Sequence, residues 1–196
     1  SNGKFTRYTK PFTIDKTIQV TIYAEKNNLK SPVTFRKFYQ IPADISITVL
    51  SEVHPMYTAG GKEALIDGIT GNENWKTGDW QSYYGKDFEA IIDLQKEKSL
   101  QYVGVHVLQE VSPWIIYPKE VIFEMSNDGK SWQPLTIIKN KVGTDTKGPV
   151  HQQLGGAVTA KTRYIKVRAV NGGKLPPWHE SAGSPSHLFI DEVIIK

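Results

Sequence analysis

The sequence predicts an all-β chain, folded as a sandwich or barrel, on three observations. Short runs rich in β-branched residues alternate apolar and polar at period two. Turn signals punctuate them, the strongest being Asn127-Asp128-Gly129-Lys130, where Asp-Gly tolerates positive φ. No window of helical length carries a 3.6-residue period, and Glu63 to Ile66 supports one short helical turn and no more. Composition agrees: 5 Trp, 9 Tyr, 7 Phe and 16 Gly against 2 Met suit short strands and tight turns.

Taken in order, the first strands are expected at 12–14, 17–24 and 34–39. In the second, Ile18, Val20 and Ile22 share one face. A boundary is expected near Ile41-Pro42-Ala43-Asp44, dividing residues 1–44 from 45–196. The first segment has too little apolar surface for its own core. It either packs on the second or is the tail of a domain cut upstream. Ser1-Asn2 reads as a cloning remnant. Later strands are marked by Val103/Val105/Val107, Val121/Phe123/Met125 and Ile165/Val167/Ala169. The last is Leu188 to Ile195. Gly60-Gly61, Gly155-Gly156 and Asn171-Gly172-Gly173 read as turns or loops.

Composition also excludes functions. The 196-residue chain has no cysteine, which removes disulfide scaffolds, thiolate-zinc sites and cysteine nucleophiles. Its net charge of +4 is mild, and basic residues never cluster beyond two or three neighbours, so no nucleic-acid groove is expected. The longest apolar runs, such as Trp114-Ile115-Ile116-Tyr117, fall far short of the roughly 20 residues of a membrane span.

Three tryptophans sit in loop-like stretches: Trp80, Trp114 and Trp178. A loop tryptophan either folds back onto the core or is presented as a platform on which a sugar ring stacks. Trp132, next to the Asp-Gly turn, is expected to pack at the start of the return strand. A second candidate is the oxygen-rich loop Asp67-Gly68-Ile69-Thr70-Gly71-Asn72-Glu73-Asn74, whose donors suit Ca²⁺ if a remote acid completes them. Glu192, inside the terminal apolar strand, is such an acid. Asp191 and Glu192 are adjacent, so on a regular strand they point to opposite faces and cannot flank one glycosidic bond. His106 alternates with the Val103/105/107 face and reads as a plain strand histidine. The five histidines lack metal-binding spacings, and no Gly-x-Ser-x-Gly elbow or phosphate loop occurs.

Residues 46 to 196 resemble the F5/8 type C (discoidin-like) domain family, which overlaps carbohydrate-binding module family 32. The pieces that carry the resemblance are Ala64-Leu65-Ile66-Asp67-Gly68 with Trp75, Phe88-Glu89-Ala90-Ile91-Ile92-Asp93-Leu94, Val121 through Trp132, Thr162 to Val167, and Phe189-Ile190-Asp191-Glu192-Val193. Tyr8 to Ile14 and Thr17 to Val20 resemble the chitobiase/β-hexosaminidase C-terminal type domain, with its usual opening missing. The resemblance implies a jelly-roll β-sandwich of the galactose-binding-domain type, with binding loops at one end. It implies a structural Ca²⁺ held around Leu65, Asp67, Asn72, Thr77 and Glu192, although the usual Asp-Gly-Asn-x-x-Thr-x-Trp spacing is altered here. It implies a sugar site drawn from Trp80, Trp114, Asn171, Trp178 and His179. The expected function is a non-catalytic glycan-binding piece of an exported Bacteroidetes glycoside hydrolase, a β-N-acetylhexosaminidase, in the periplasm, on the outer membrane or secreted. Its partners would be a glycan and the upstream catalytic domain. The alternative is a structural module that packs on that domain and binds no sugar.

Overall fold

The computed structural model describes residues 5–16, 18–38 and 43–196. Ser1-Asn2, Thr17, Tyr39 and the Ile41-Pro42 half of the expected boundary lie outside them. The chain divides into two compact units, Ser1–Gln40 and Ile41–Lys196.

In the first unit, β1 (Ile18–Ile22) pairs antiparallel with β4 (Thr34–Phe38), from Ile18 opposite Phe38 to Ile22 opposite Thr34. Between them a small hairpin joins β2 (Glu25–Lys26) to β3 (Leu29–Lys30). Its turn, Asn27-Asn28, has φ of 50° and 63°, the left-handed pair that a two-residue hairpin needs and asparagine tolerates. The strand expected at 12–14 does not form. Those residues follow Pro11, which has no N–H to donate, and run without a ladder partner among the described residues.

The second unit holds β5 (Ser46–Val49), β6 (Gln81–Tyr84), β7 (Phe88–Gln109), β8 (Glu120–Ser126), β9 (Gln133–Lys139), β10 (Val150–Val170) and β11 (His187–Ile195). All pairs are antiparallel, in the order β6-β11-β7-β10-β8-β9, with β5 also on β7. The long strands β7 and β10 pair along nearly their whole length. Their 88–93 and 164–169 halves carry β5 on one side and β8-β9 on the other. Their 103–109 and 150–157 halves carry β11 and β6. The ribbon folds over between these halves, where β10 shifts register twice, between Ala157 and Ala160 and between Thr162 and Tyr164. Gln95, at φ 64°, turns β7 at the same place. Two layers result, the jelly-roll β-sandwich. Phe88, Ile92, Phe123 and Ile165 from one layer close a core with Val103, Val105, Val107 and Leu188 from the other.

Two expectations change. Gly155-Gly156 lies inside β10, opposite Gly104 and Val103. A Cβ on Gly155 would fall 2.3 Å from the Tyr102 hydroxyl, so the glycine makes room for a crossing ring rather than a turn. The 103–109 stretch is buried on both faces, because Trp80, Leu108, Ile115 and Phe189 form a second cluster outside the sheet. His106 sits on that covered face and is not a plain strand histidine.

Candidate functional site

Loops at one end of the second unit gather an aromatic surface. Residues 110–115 form a tight hairpin: Glu110 and Ile115 exchange both backbone hydrogen bonds at 3.0 Å, and the Trp114 N–H donates to the Val111 carbonyl at 2.8 Å. Trp114 itself has φ 72°. A left-handed conformation costs a non-glycine residue about 1–2 kcal/mol, and such strain concentrates at functional positions. Trp114 is half-buried, packed on Val111, Ile116 and Leu175, and stacks beside Tyr84 at 6.4 Å. Tyr84 in turn meets His187 at 4.6 Å. Trp178 projects further out, with 60% of its surface exposed. Its neighbour His179 is buried and donates Nε2–H to the Ser112 carbonyl at 3.2 Å, tying the loop of Trp178 to the hairpin of Trp114.

Three expected ligand residues have other work. Trp80 is 1% exposed, stacked on His106 with its Nε1–H on the Asn72 carbonyl, so its face is not offered to a sugar. The Asn171 amide donates to the carbonyls of Tyr83, Lys86 and Ser186, and its Oδ1 accepts from Gly173 N–H and Ser186 Oγ. Every polar atom of that side chain is used within the fold. His179 accepts Ser181 N–H at Nδ1 and is the loop tie described above.

Sequence reasoning missed the residues that extend the surface. Tyr57, Gly60, Trp75, Lys76 and the edge of Trp80 line a cleft of about 460 Å³. Trp75 donates Nε1–H to Glu110 Oε2 at 2.8 Å and packs against Tyr57 at 5.7 Å, while Lys76 Nζ lies 5.0 Å from the Trp75 ring. The sequence offered Trp75 only as the end of a polar loop and a piece of the family pattern, neither of which puts it on a binding face. Tyr57, Tyr84 and Glu110 carried no signal, because they reach this surface through pairings far apart in the chain. His187, at its centre, is pushed down to about 4 by burial and then by His54.

Beneath this surface lies a carboxylate cluster. A register shift between Ile190 and Glu192 places a bulge at Asp191. Both acids therefore reach one loop: Asp191 Oδ2 accepts the Gly71 N–H, and Glu192 Oε2 accepts the Gly68 N–H at 3.1 Å. The opposite-face expectation holds only for an unbulged strand. Burial, and after it the charge of Asp67, pushes Glu192 up to about 8. Asp67 is raised as well, by burial first and then by Asp191 and Asp79, against the Ile69 N–H it accepts at 2.7 Å.

The family model of the F5/8 type C domain matches residues 46–187. The chain belongs to that family. No curated protein sequence matches it. Among solved structures, this F5/8 type C chain is similar to CBM32-3 from a family 31 glycoside hydrolase of Clostridium perfringens, with TM-score 0.48, 16% identity, 81% of this chain and 94% of that one covered. It is similar to the family 32 CBM of C. perfringens NanJ in complex with galactose, with TM-score 0.48, 13% identity and coverage of 80% and 97%. A Streptococcus pneumoniae fucose binding module gives TM-score 0.46, 18% identity and coverage of 81% and 94%.

The resemblance implies a Ca²⁺ in this F5/8 type C unit, held around Leu65, Asp67, Asn72, Thr77 and Glu192. Half-buried Asp67 and buried Glu192 reach the same loop, the Asp67 charge helps push Glu192 up, and hard oxygens of this kind suit Ca²⁺. Asn72 and Thr77 are not part of that group. Asn72 Oδ1 accepts Asn74 N–H, while Thr77 Oγ1 serves the Asn74 carbonyl and Asp79. The Leu65 side chain is in the core, leaving its carbonyl as the only donor it has. Among the described residues, no three His, Asp or Glu side chains converge as a metal cluster.

Proposed function

We propose that the F5/8 type C unit is a non-catalytic glycan-binding module. The observation that carries this reading is the exposed indole of Trp178 beside the strained Trp114 hairpin and Tyr84. Exposed aromatic faces present a flat apolar surface to the C–H face of a sugar, and polar groups at the edge read its hydroxyls. The Lys76 ammonium, which lines the neighbouring cleft, and Glu110, which accepts the Trp75 indole N–H, are the polar groups proposed for that reading. The ligand class is a terminal galactose- or N-acetylhexosamine-type sugar. Binding at so open a surface is weak and gains from effective concentration when the module is tethered to an enzyme.

The host proposed is an exported glycoside hydrolase of Bacteroidetes, a β-N-acetylhexosaminidase, supported by the resemblance of residues 8–20 to that enzyme's C-terminal type domain. Periplasmic, outer-membrane-associated or secreted settings suit such a host. Among the described residues, no helix is long and apolar enough to cross a membrane. A structural Ca²⁺ is part of the proposal. Asp67 and Glu192 would hold it, and its charge would relieve the repulsion between them and fix the 67–71 loop. The test is calorimetric titration of the protein with galactose, N-acetylgalactosamine, N-acetylglucosamine and glucose. Saturable binding of one of the first three is expected. Heat indistinguishable from dilution for all four would overturn the reading.

A further inference from the structure

A row of aromatic rings leads from the Trp114 platform to the cleft at Trp75. Trp114 lies 6.4 Å from Tyr84, and Tyr84 lies 4.6 Å from His187, ring centre to ring centre. His187 lies 6.1 Å from Tyr57, and Tyr57 lies 5.7 Å from Trp75. None of the five residues is buried. The planes turn gradually over the first three rings, by 25° and then 39°. Tyr57 then stands upright on the buried Phe189 ring, at 73° and 5.1 Å. His187 and Trp75 each lie 37° to that same Phe189, so their faces continue one floor, with Tyr57 as a rib upon it.

Backbone pairing sets the spacing. The His187 N–H donates to the Trp114 carbonyl at 2.8 Å, and His187 stands opposite Tyr84 in the β6–β11 register. The Ser82 N–H donates to the Tyr57 carbonyl at 3.1 Å, which carries the row past β6. The rings thus come from neighbouring segments bonded side by side, and a surface preformed in this way loses little freedom on binding. Polar groups accompany the row. His187 Nδ1 meets Ser82 Oγ at 2.7 Å, and His54 Nδ1 accepts the Met56 N–H at 3.4 Å. Each imidazole therefore keeps its Nε2 for a hydroxyl. His54 lies 5.4 Å from His187 and 5.6 Å from Tyr57, beside the middle of the row.

A single pyranose covers one such ring, or the join of two. Steps of 4.6 to 6.4 Å from ring to ring are comparable to the length of one unit in an extended sugar chain. We infer that this face takes an extended oligosaccharide of three or more units, where a terminal sugar alone would need only the Trp178 and Trp114 platform. The end unit lies on that platform, and the units that follow pass over Tyr84 and His187 toward Trp75. The cleft of about 460 Å³ at the far end is of a size to take a unit of its own. This deepens the glycan reading and rests on it.

The test is calorimetric titration of the whole chain with two series of one to five units, β-linked galactose and β-linked N-acetylglucosamine. In one series, affinity is expected to climb with each added unit and to level off near the tetrasaccharide, about tenfold or more above the monosaccharide. NMR of the indole N–H groups reads the same point without a variant. The tetrasaccharide should move the Trp75 signal together with those of Trp114 and Trp178, and the monosaccharide should move the latter pair alone. Trp75→Ala, and separately Tyr84→Ala in the middle of the row, should lower the ratio of tetrasaccharide to monosaccharide affinity about threefold or more, each with a melting curve on the same sample. Equal affinity at every length, a plateau at the disaccharide, or a Trp75 signal that stays still while the tetrasaccharide binds would overturn the row and leave the single-sugar platform standing. An unchanged ratio in both variants would do the same. No binding at any length would overturn the row and the glycan reading together.

Discussion

Removing the Trp178 side chain separates a platform from a packing residue. Tryptophan carries about 150–250 Å² of buriable surface, and 60% of it is exposed here. At about 25 cal/mol per Å², covering all of that exposed area would contribute about 2–4 kcal/mol. A sugar ring covers one face only, which halves the figure to about 1–2 kcal/mol and sets the affinity loss in Trp178→Ala at about 5- to 30-fold. The part already buried against the loop sets the cost to the fold, at most about 1–2 kcal/mol, since the alanine keeps its Cβ. For a domain of this size that lowers Tm by only a few degrees, about 2–4 °C per kcal/mol. The assay is a galactose titration followed by calorimetry, with a melting curve on the same sample. An affinity within twofold of wild type, in a protein that melts as the wild type does, would refute the platform and the reasoning from exposure behind it.

Other expectations follow from the interior. Gly71→Ala places a Cβ 2.5 Å from Trp80 Nε1, with no flexible chain end to yield, so a loss of about 1–3 kcal/mol is expected in denaturant melts. His187 is neutral in the fold down to about pH 4, below its ordinary 6.5, so the unfolded chain takes up a proton first as pH falls. Stability is therefore lost between pH 6.5 and 4, by at most about 3 kcal/mol and by less for a half-buried ring, and the melting profile of His187→Gln should be flatter over that window. Added Ca²⁺ should raise Tm in the wild type and chelator reverse it, with both responses absent in Glu192→Gln; equal melting in all conditions would count against the metal.

The strands were legible because their signal is local. Val103/Val105/Val107 and Ile165/Val167/Ala169 alternate at the pitch of a pleated strand, and each set faces the core that the alternation names. The turn before Trp132 was legible for the same reason: Asp128 accepts the N–H groups of Lys130 and Ser131 at 2.8 and 2.7 Å, bonds within one short segment. The end of the sheet that carries loops could be anticipated from where the tryptophans fall between strands. Which tryptophan faces water could not. Trp80 and Trp178 have equally loop-like surroundings in the sequence, yet Trp80 meets His106 across 26 residues of chain and Trp178 meets no such cover.

By itself, then, the sequence determined the all-β architecture, the absence of thiol chemistry and the need of a remote acid such as Glu192 for a partner. Periodicity, composition and a buried charge are properties of short stretches or of single groups. Tertiary structure alone decided that Gly155-Gly156 continues a strand past the Tyr102 ring, and that a bulge at Asp191 turns two neighbouring acids onto one loop. It also decided that His106, which reads as a plain strand histidine, joins Asp191 to His151. Each of these depends on what another strand places opposite the residue, and the pairing of β7, β10 and β11 joins segments 40 to 90 residues apart. Local pattern sets the face a side chain leaves from, and the fold of the long strands sets what it meets.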